Sequence, residues 1–151
     1  MSERRNLVLV LGDQLDPDLS ALDDFDPATD VVWMAENERE ATHVWSQKQR
    51  LVMFFAAMRH YRDALRHAGK HVVYHALGND ARRDSGKDFA AILCAEINRK
   101  RPGRLVMTQC GDHRVQQMII ECAAEHDVPL QIRPDRHFYC SLEAFNEWAD
   151  K

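Results

Sequence analysis

Five short apolar runs punctuate the chain at regular intervals. Asn6–Leu11 reads N-L-V-L-V-L and stops at Gly12. Asp30–Met34 (D-V-V-W-M), His71–Tyr74 (H-V-V-Y), Arg104–Met107 (R-L-V-M) and Leu130–Ile132 (L-Q-I) follow it. A run that is apolar without alternation predicts a strand buried on both faces, the habit of parallel sheets.

Between these runs the apolar period lengthens to that of a helix. From Gln47 to Ala68 the stripe is Leu51, Phe54, Phe55, Met58, Tyr61 and Leu65, with Lys48, Arg59, Arg62 and Arg66 off it. Gly69 follows as a helix stop. A second helix is expected from Ser85 to Arg99 on Phe89, Ile92, Leu93 and Ile97, closed by Pro102-Gly103. A third runs from Asp112, a candidate N-cap, to His126, with Val115, Met118, Ile119, Cys122 and Ala123 apolar. A last short one begins at Ser141 and carries Phe145 and Trp148. The acidic connection from Asp13 to Thr29 has room for one turn near Leu19–Leu22.

Strands alternating with helices are βαβ units, whose right-handed crossovers give a parallel sheet with helices on both faces. The expectation is therefore an α/β fold, a Rossmann-like three-layer αβα sandwich with five parallel strands in the order 3-2-1-4-5. In such sheets ligands sit beyond the carboxyl ends of the strands, where the strand order reverses. Three loops should converge there: Gly12–Leu15, Ala35–Glu40 and Gln109–Arg114.

Composition narrows the class. At 151 residues the chain is one domain's worth, and 45% hydrophobic with 29% charged residues is a globular balance, not a disordered one. No apolar run approaches the roughly 20 residues of a membrane span, and the start has no signal-peptide pattern, so a cytoplasmic protein is expected. The net charge of −4 is uneven: residues 1–40 carry three basic against eleven acidic side chains. Such a segment is a poor phosphate-binding surface. Four cysteines, Cys94, Cys110, Cys122 and Cys140, form no C-x-x-C pair and are expected as free thiols. A zinc site on Cys110 and His113 would lack a second close-spaced ligand pair, so no metal is expected.

The loops suggest binding more than catalysis. Gly12-Asp13-Gln14-Leu15 has one glycine where a dinucleotide loop needs three, and there is no Walker lysine motif. An amide beside a carboxylate suits the C=O and N–H edge of a heterocycle, or sugar hydroxyls; equally, both groups could simply satisfy loop backbone. Glu36, Glu38 and Glu40 bring three carboxylates to the end of the second strand. Binding of a ring N–H or hydroxyl by Glu36 or Glu40 is one reading, a solvated helix start another. A small hydrolase using Glu36 and Glu40 is a third. His113 reads as a surface or capping residue, and His60, His67, His71, His75, His126 and His137 receive no role. The basic residues of the Gln47–Ala68 helix read as a solvated or docking face.

Several strings, taken together and in order, resemble a known family. They are L-V-L-V-L-G-D-Q-L at Leu7–Leu15, M-A-E-N-E-R-E-A-T at Met34–Thr42 and K-x-R-L-V-M-F-F-A-A-M-R-H-Y-R-D-A-L at Lys48–Leu65. D-R-H-F-Y-C-S at Asp135–Ser141 and F-x-x-W at Phe145–Trp148 complete them. The chain resembles the amino-terminal domain of the deoxyribodipyrimidine photolyase-related proteins, the bacterial iron–sulfur branch of cryptochromes and (6-4) photolyases. The resemblance implies that residues 1–151 are an antenna-binding domain. A carboxy-terminal domain absent from this chain would hold FAD, a 4Fe–4S cluster and damaged DNA. It implies 6,7-dimethyl-8-ribityllumazine as the antenna chromophore and light harvesting for FAD in DNA repair as the role. The fragment itself would catalyse nothing; the whole protein would be a lyase. Carried over by position, Gly12, Asp13, Gln14 and Leu15 match the first binding segment, and Glu36 and Glu40 the acidic positions of the second. His43 stands where relatives often have tyrosine, and Cys110-Gly111-Asp112-His113 departs from the family's proline-glycine-glutamate-aromatic run. The alternative is a free-standing nucleotide-binding α/β domain.

Overall fold

The computed structural model describes residues 6–37, 47–77 and 88–150. Its elements are β1 (Asn6–Leu9), a 3-10 turn (Ser20–Leu22), β2 (Asp30–Ala35), α1 (Lys48–His67) and β3 (Val72–His75). They continue with α2 (Phe89–Lys100), β4 (Arg104–Thr108), α3 (His113–Glu125), β5 (Leu130–Arg133) and α4 (Leu142–Ala149). All four strand pairings are parallel and the order is β3-β2-β1-β4-β5, as the sequence pattern implies. The apolar run after Asn6 ends in strand pairing at Leu9, although Val10 N–H still donates to the Trp33 carbonyl at 3.0 Å.

Because side chains alternate along a strand, the same runs feed two separate cores. Leu7, Leu9, Val31, Trp33, Leu105 and Met107 face α2 and α3, meeting Phe89, Leu93, Ile97 and Ile119. The ring of Phe89 stands edge-on to Trp33 with centroids 5.4 Å apart, a favoured aromatic geometry. Val8, Val10, Val32, Met34 and Val106 face the other way, onto Met58 and Leu65 of α1, Leu19 just before the 3-10 turn and Ala21 within it. This is the three-layer sandwich.

Helix ends follow local chemistry. Asp88, Asp112 and Ser141 cap α2, α3 and α4 by accepting backbone N–H bonds. Gly69, at φ 77°, ends α1 with Gly69 N–H on Arg66 O and Lys70 N–H on Leu65 O, both 3.0 Å. The Ser85 start expected for the second helix lies outside the described residues. One expectation fails: Cys94 and Cys122 are joined as a disulfide between α2 and α3, and Cys110 and Cys140 alone are free. Spacing cannot reveal this pair, because the two residues meet only when the helices pack side by side. None of the described helices is long and apolar enough to cross a membrane.

Candidate functional site

The carboxyl ends of β1, β2 and β4 meet at the strand-order reversal, and the loop after β1 is nailed to that end of the sheet. Gln14 is buried, and its amide nitrogen donates to the carbonyls of Thr108 (3.3 Å) and Gln109 (3.0 Å). Its Oε1 is buried with no hydrogen-bond partner among the described residues. Thr108 Oγ1 accepts from Ala21 N–H at 2.9 Å and shares a 2.8 Å bond with Ser20 Oγ. Arg133 donates to the Ser20 and Asp23 carbonyls, and Arg136 pairs with Asp23. The acidic connection is thus held by two arginines from the far end of the chain. Tyr61 OH donates to Asp16 O at 2.6 Å; burial, then the Asp16 charge, pushes this phenol up to about 12.

Two recesses open on either side of this loop and share Gly12 and Asp13 as lining. The first, about 220 Å³, has walls of Phe54, Phe55, Met58 and Phe89, with Asp13, Asn37 and Cys110 at its edge. The second, about 280 Å³, has a mixed lining, with Asp13, Gln14, Ser20, Arg136 and His137 beside Leu19 and Phe138. Leu15 also borders the second. Gly12 is required by close approach. A Cβ there would lie 2.5 Å from Phe54 Cζ and 2.9 Å from Met58 Sδ. Burial, then the Asp13 and Asp112 carboxylates, pushes the Cys110 thiol up to about 12. It is neutral and a weak nucleophile at ordinary pH.

Glu36 lies beside the cleft but turns inward. Its Oε1 accepts from Arg59 Nε and Tyr74 OH, both at 2.6 Å. Its Oε2 accepts from Arg59 Nη2 and Leu77 N–H, both at 2.9 Å. These four donors use the capacity of a carboxylate. Burial alone would raise the Glu36 pKa; the bonds from Arg59, Tyr74 and Leu77, with the Arg59 charge, overcome it and hold the group below its ordinary value. Tyr74 is raised by burial and by the same carboxylate. A direct ligand bond from Glu36 therefore has no acceptor position to use. The side chain ties β2 and β3 to α1 instead.

The fold brings Gly12, Asp13, Gln14 and Leu15 together at the paired recesses. It spends Gln14's nitrogen on β4 backbone, so the loop-satisfying role weighed from sequence is realised there. Glu40 and His43 lie outside the described residues. A shared cleft between Gln14 and Glu40 is likewise outside what the structure describes. The sequence reading placed Phe54 on the core stripe of its helix and Arg59 on a solvated or docking face, and gave Asn37 no role. Phe54 and Arg59 sit on a helix whose periodicity marks core and solvent faces only, and a loop asparagine carries no periodic signal at all. Asp112 is exposed as a cap, accepting from Arg114 N–H at 2.8 Å; its neighbour His113 starts α3 and lines neither recess.

Comparison with known proteins matches residues 8–151 to the family model of the deoxyribodipyrimidine photo-lyase-related proteins. A (6-4) photolyase from Agrobacterium fabrum is 35% identical over 143 residues. The match covers 95% of this chain and 28% of that relative, so the chain spans less than a third of the relative's length.

Proposed function

The chain belongs to the deoxyribodipyrimidine photolyase-related proteins, and from that premise we propose that it is their antenna-binding unit, residues 1–151. In this reading it holds 6,7-dimethyl-8-ribityllumazine at the end of the sheet and passes excitation to FAD in a partner domain that repairs DNA. The observation that carries the reading is the pair of recesses meeting at Gly12 and Asp13.

A ribityllumazine has a flat ring system with a polar edge, and a polyhydroxy tail. Phe54, Phe55 and Phe89 offer apolar contact to the ring faces. The Asn37 amide and Asp13 carboxylate at the rim suit ring C=O and N–H groups. Asp13, Ser20 and Arg136 in the second recess suit hydroxyls. Glu40 is the proposed direct partner from the second binding segment, with His43 as a wall. When bound, the chromophore supplies absorption of light and transfer of its excitation. This chain's residues supply orientation. Glu36 is a positioning residue, fixing the strand end that presents Asn37. Gln14, through Thr108 and Gln109, fixes the loop that presents Asp13. A nucleotide fits less well, because its phosphates would face Asp13, Asp16, Asp18 and Asp135 in the second recess, where Arg136 is already paired with Asp23 and His137 lies beside Asp16.

A large apolar surface supports a partner domain. Phe138, Tyr139, Leu142, Phe145 and Trp148 are all exposed, on and just before α4, whose residues are nowhere buried. Such a patch marks an interaction site. The proposed occupant is the FAD-bearing remainder of a photolyase, with a 4Fe–4S cluster and the lesion held there.

The test is a fluorescence-anisotropy titration of the purified chain with the lumazine, beside Phe54→Ala. Saturable one-to-one binding, weakened at least about tenfold by loss of the aromatic wall, is expected. Identical affinity in Phe54→Ala would remove the proposed cleft. Light-dependent lesion repair by this chain alone would overturn the antenna role, since the reading leaves FAD and lesion to the partner.

A further inference from the structure

Away from the cleft, two helices bring three ligand-type side chains into one cluster, and nothing in the antenna reading uses them. Cys94 and Asn98 stand one turn apart on α2. Cys122, on α3, and His126, at its end, stand one turn apart facing them. One atom each from Cys94, Cys122 and His126 lies within 4.8 Å of the other two. Cys122 is buried, and Cys94 and His126 are half-buried, so the cluster is reachable from solvent on one side.

The histidine is held ready. His126 Nδ1 is 2.9 Å from the Cys122 carbonyl, which can only accept, so Nδ1 carries the proton. The neutral ring then has its lone pair on Nε2, which Asn98 Nδ2 approaches at 3.0 Å. An imidazole oriented by a backbone carbonyl is the form that ligates metal ions. Two thiolates and an imidazole are a soft donor set that selects zinc-like cations over magnesium or calcium.

We propose that Cys94, Cys122 and His126 form a two-state site. Oxidised, it is the disulfide that staples α2 to α3. Reduced, it is a zinc-type cation site in which the ion replaces the Asn98 N–H on His126 Nε2 and water takes the fourth position. Reduction by a dithiol adds two electrons and two protons to the disulfide and gives two thiols, the dithiol leaving as its own disulfide. Binding of a divalent cation then releases those two protons as two sulfur–metal bonds form. Once the bond is broken, the sulfurs separate to non-bonded contact. That spacing is about the ~3.8 Å that two sulfurs take when each lies ~2.3 Å from one tetrahedral ion. Little helix movement is therefore needed. From sequence His126 received no role, whereas C-x-x-x-H on a helix end already places two ligands on one face.

The test uses the full 151-residue chain reduced with a phosphine, which leaves as its oxide with oxygen from water. Cobalt(II) is the probe, read by the visible and sulfur-to-cobalt bands of a tetrahedral thiolate complex. Zinc(II) is then measured by displacing the cobalt. Expected are one cobalt per reduced chain and none per oxidised chain. The Cys110→Ser/Cys140→Ser double variant should keep the bands and Cys94→Ser should lose them. His126→Gln should fold normally, since its side chain is half-exposed, and bind at least about tenfold more weakly. The proposal is overturned if the reduced chain gives no tetrahedral cobalt spectrum. It is also overturned if Cys94→Ser retains the spectrum, or if the double variant abolishes it.

Discussion

Replacing Glu36 by glutamine tests whether this carboxylate holds the sheet end together. The substitution keeps shape and removes charge. It also turns one acceptor oxygen into an NH₂ group facing donors, so at least two of the four bonds are lost. A buried charge pair broken on one side costs about 3–5 kcal/mol when both partners are enclosed. Here only one is: the Glu36 side chain is 0% exposed and Arg59 is 48% exposed. Arg59 can regain water, so the expected loss is about 2–3 kcal/mol, near that of one or two charge-assisted hydrogen bonds. For a domain of this length that lowers Tm by about 4–12 °C. The pH dependence has a definite sign. Folding lowers the Glu36 pKa from its ordinary 4.5. Its stabilisation is therefore complete well above 4.5 and drains away as pH falls through the folded value. Urea melts of wild type and Glu36→Gln should differ most near neutrality and converge in acid. A difference under about 0.5 kcal/mol at neutral pH, or one that does not change with pH, would refute the account.

Other consequences are equally direct. Gly12→Ala should force the Phe54 ring out of its place in the cleft wall, destabilising the chain by about 1–3 kcal/mol and weakening lumazine binding, read by a melt and a titration. Glu40→Ala should raise the lumazine dissociation constant about 10- to 150-fold, the worth of one hydrogen bond to a charged group. Asp127, at φ 52°, occupies the left-handed position after α3, with its N–H on Ala124 O and Val128 N–H on Ala123 O. Asp127→Gly should stabilise the chain by about 0.5–1 kcal/mol in a urea melt, because glycine carries no Cβ penalty there.

The architecture was legible because both periods were clean. The apolar runs of β1, β2 and β4 are buried on both faces as expected, whereas β3 and β5, the edge strands, are only partly buried and Ile132 is exposed; the crossover rule led from the five runs to a parallel sheet. The position of the cleft followed from strand order, and Asp112 and Gly69 were readable from local capping chemistry. What periodicity cannot carry is the destination of a polar side chain. Glu36 looked like a loop carboxylate available to a ligand; its partners Arg59 and Tyr74 come from two other elements, distant in sequence. Arg59 looked solvated because it lies off the apolar stripe. Its guanidinium nevertheless reaches Glu36 just past the end of β2 while the side chain stays half-exposed, as long basic side chains can. Arg133, through the Ser20 and Asp23 carbonyls, and Arg136, through the Asp23 carboxylate, likewise hold an acidic segment more than a hundred residues away. The Cys94–Cys122 bond depends on the mutual rotation of two helices, which neither helix encodes by itself.

The claim at the centre of this account is that the sheet-end cleft is built for a ring-and-polyol chromophore. Isothermal titration of the purified chain with 6,7-dimethyl-8-ribityllumazine, run in parallel with AMP and ATP, tests it most directly. The account predicts one-to-one binding of the lumazine and no heat from either nucleotide, whose phosphates would meet the acidic lining of the second recess. Saturable binding of a nucleotide with none of the lumazine would contradict it and restore the reading of a nucleotide-binding domain.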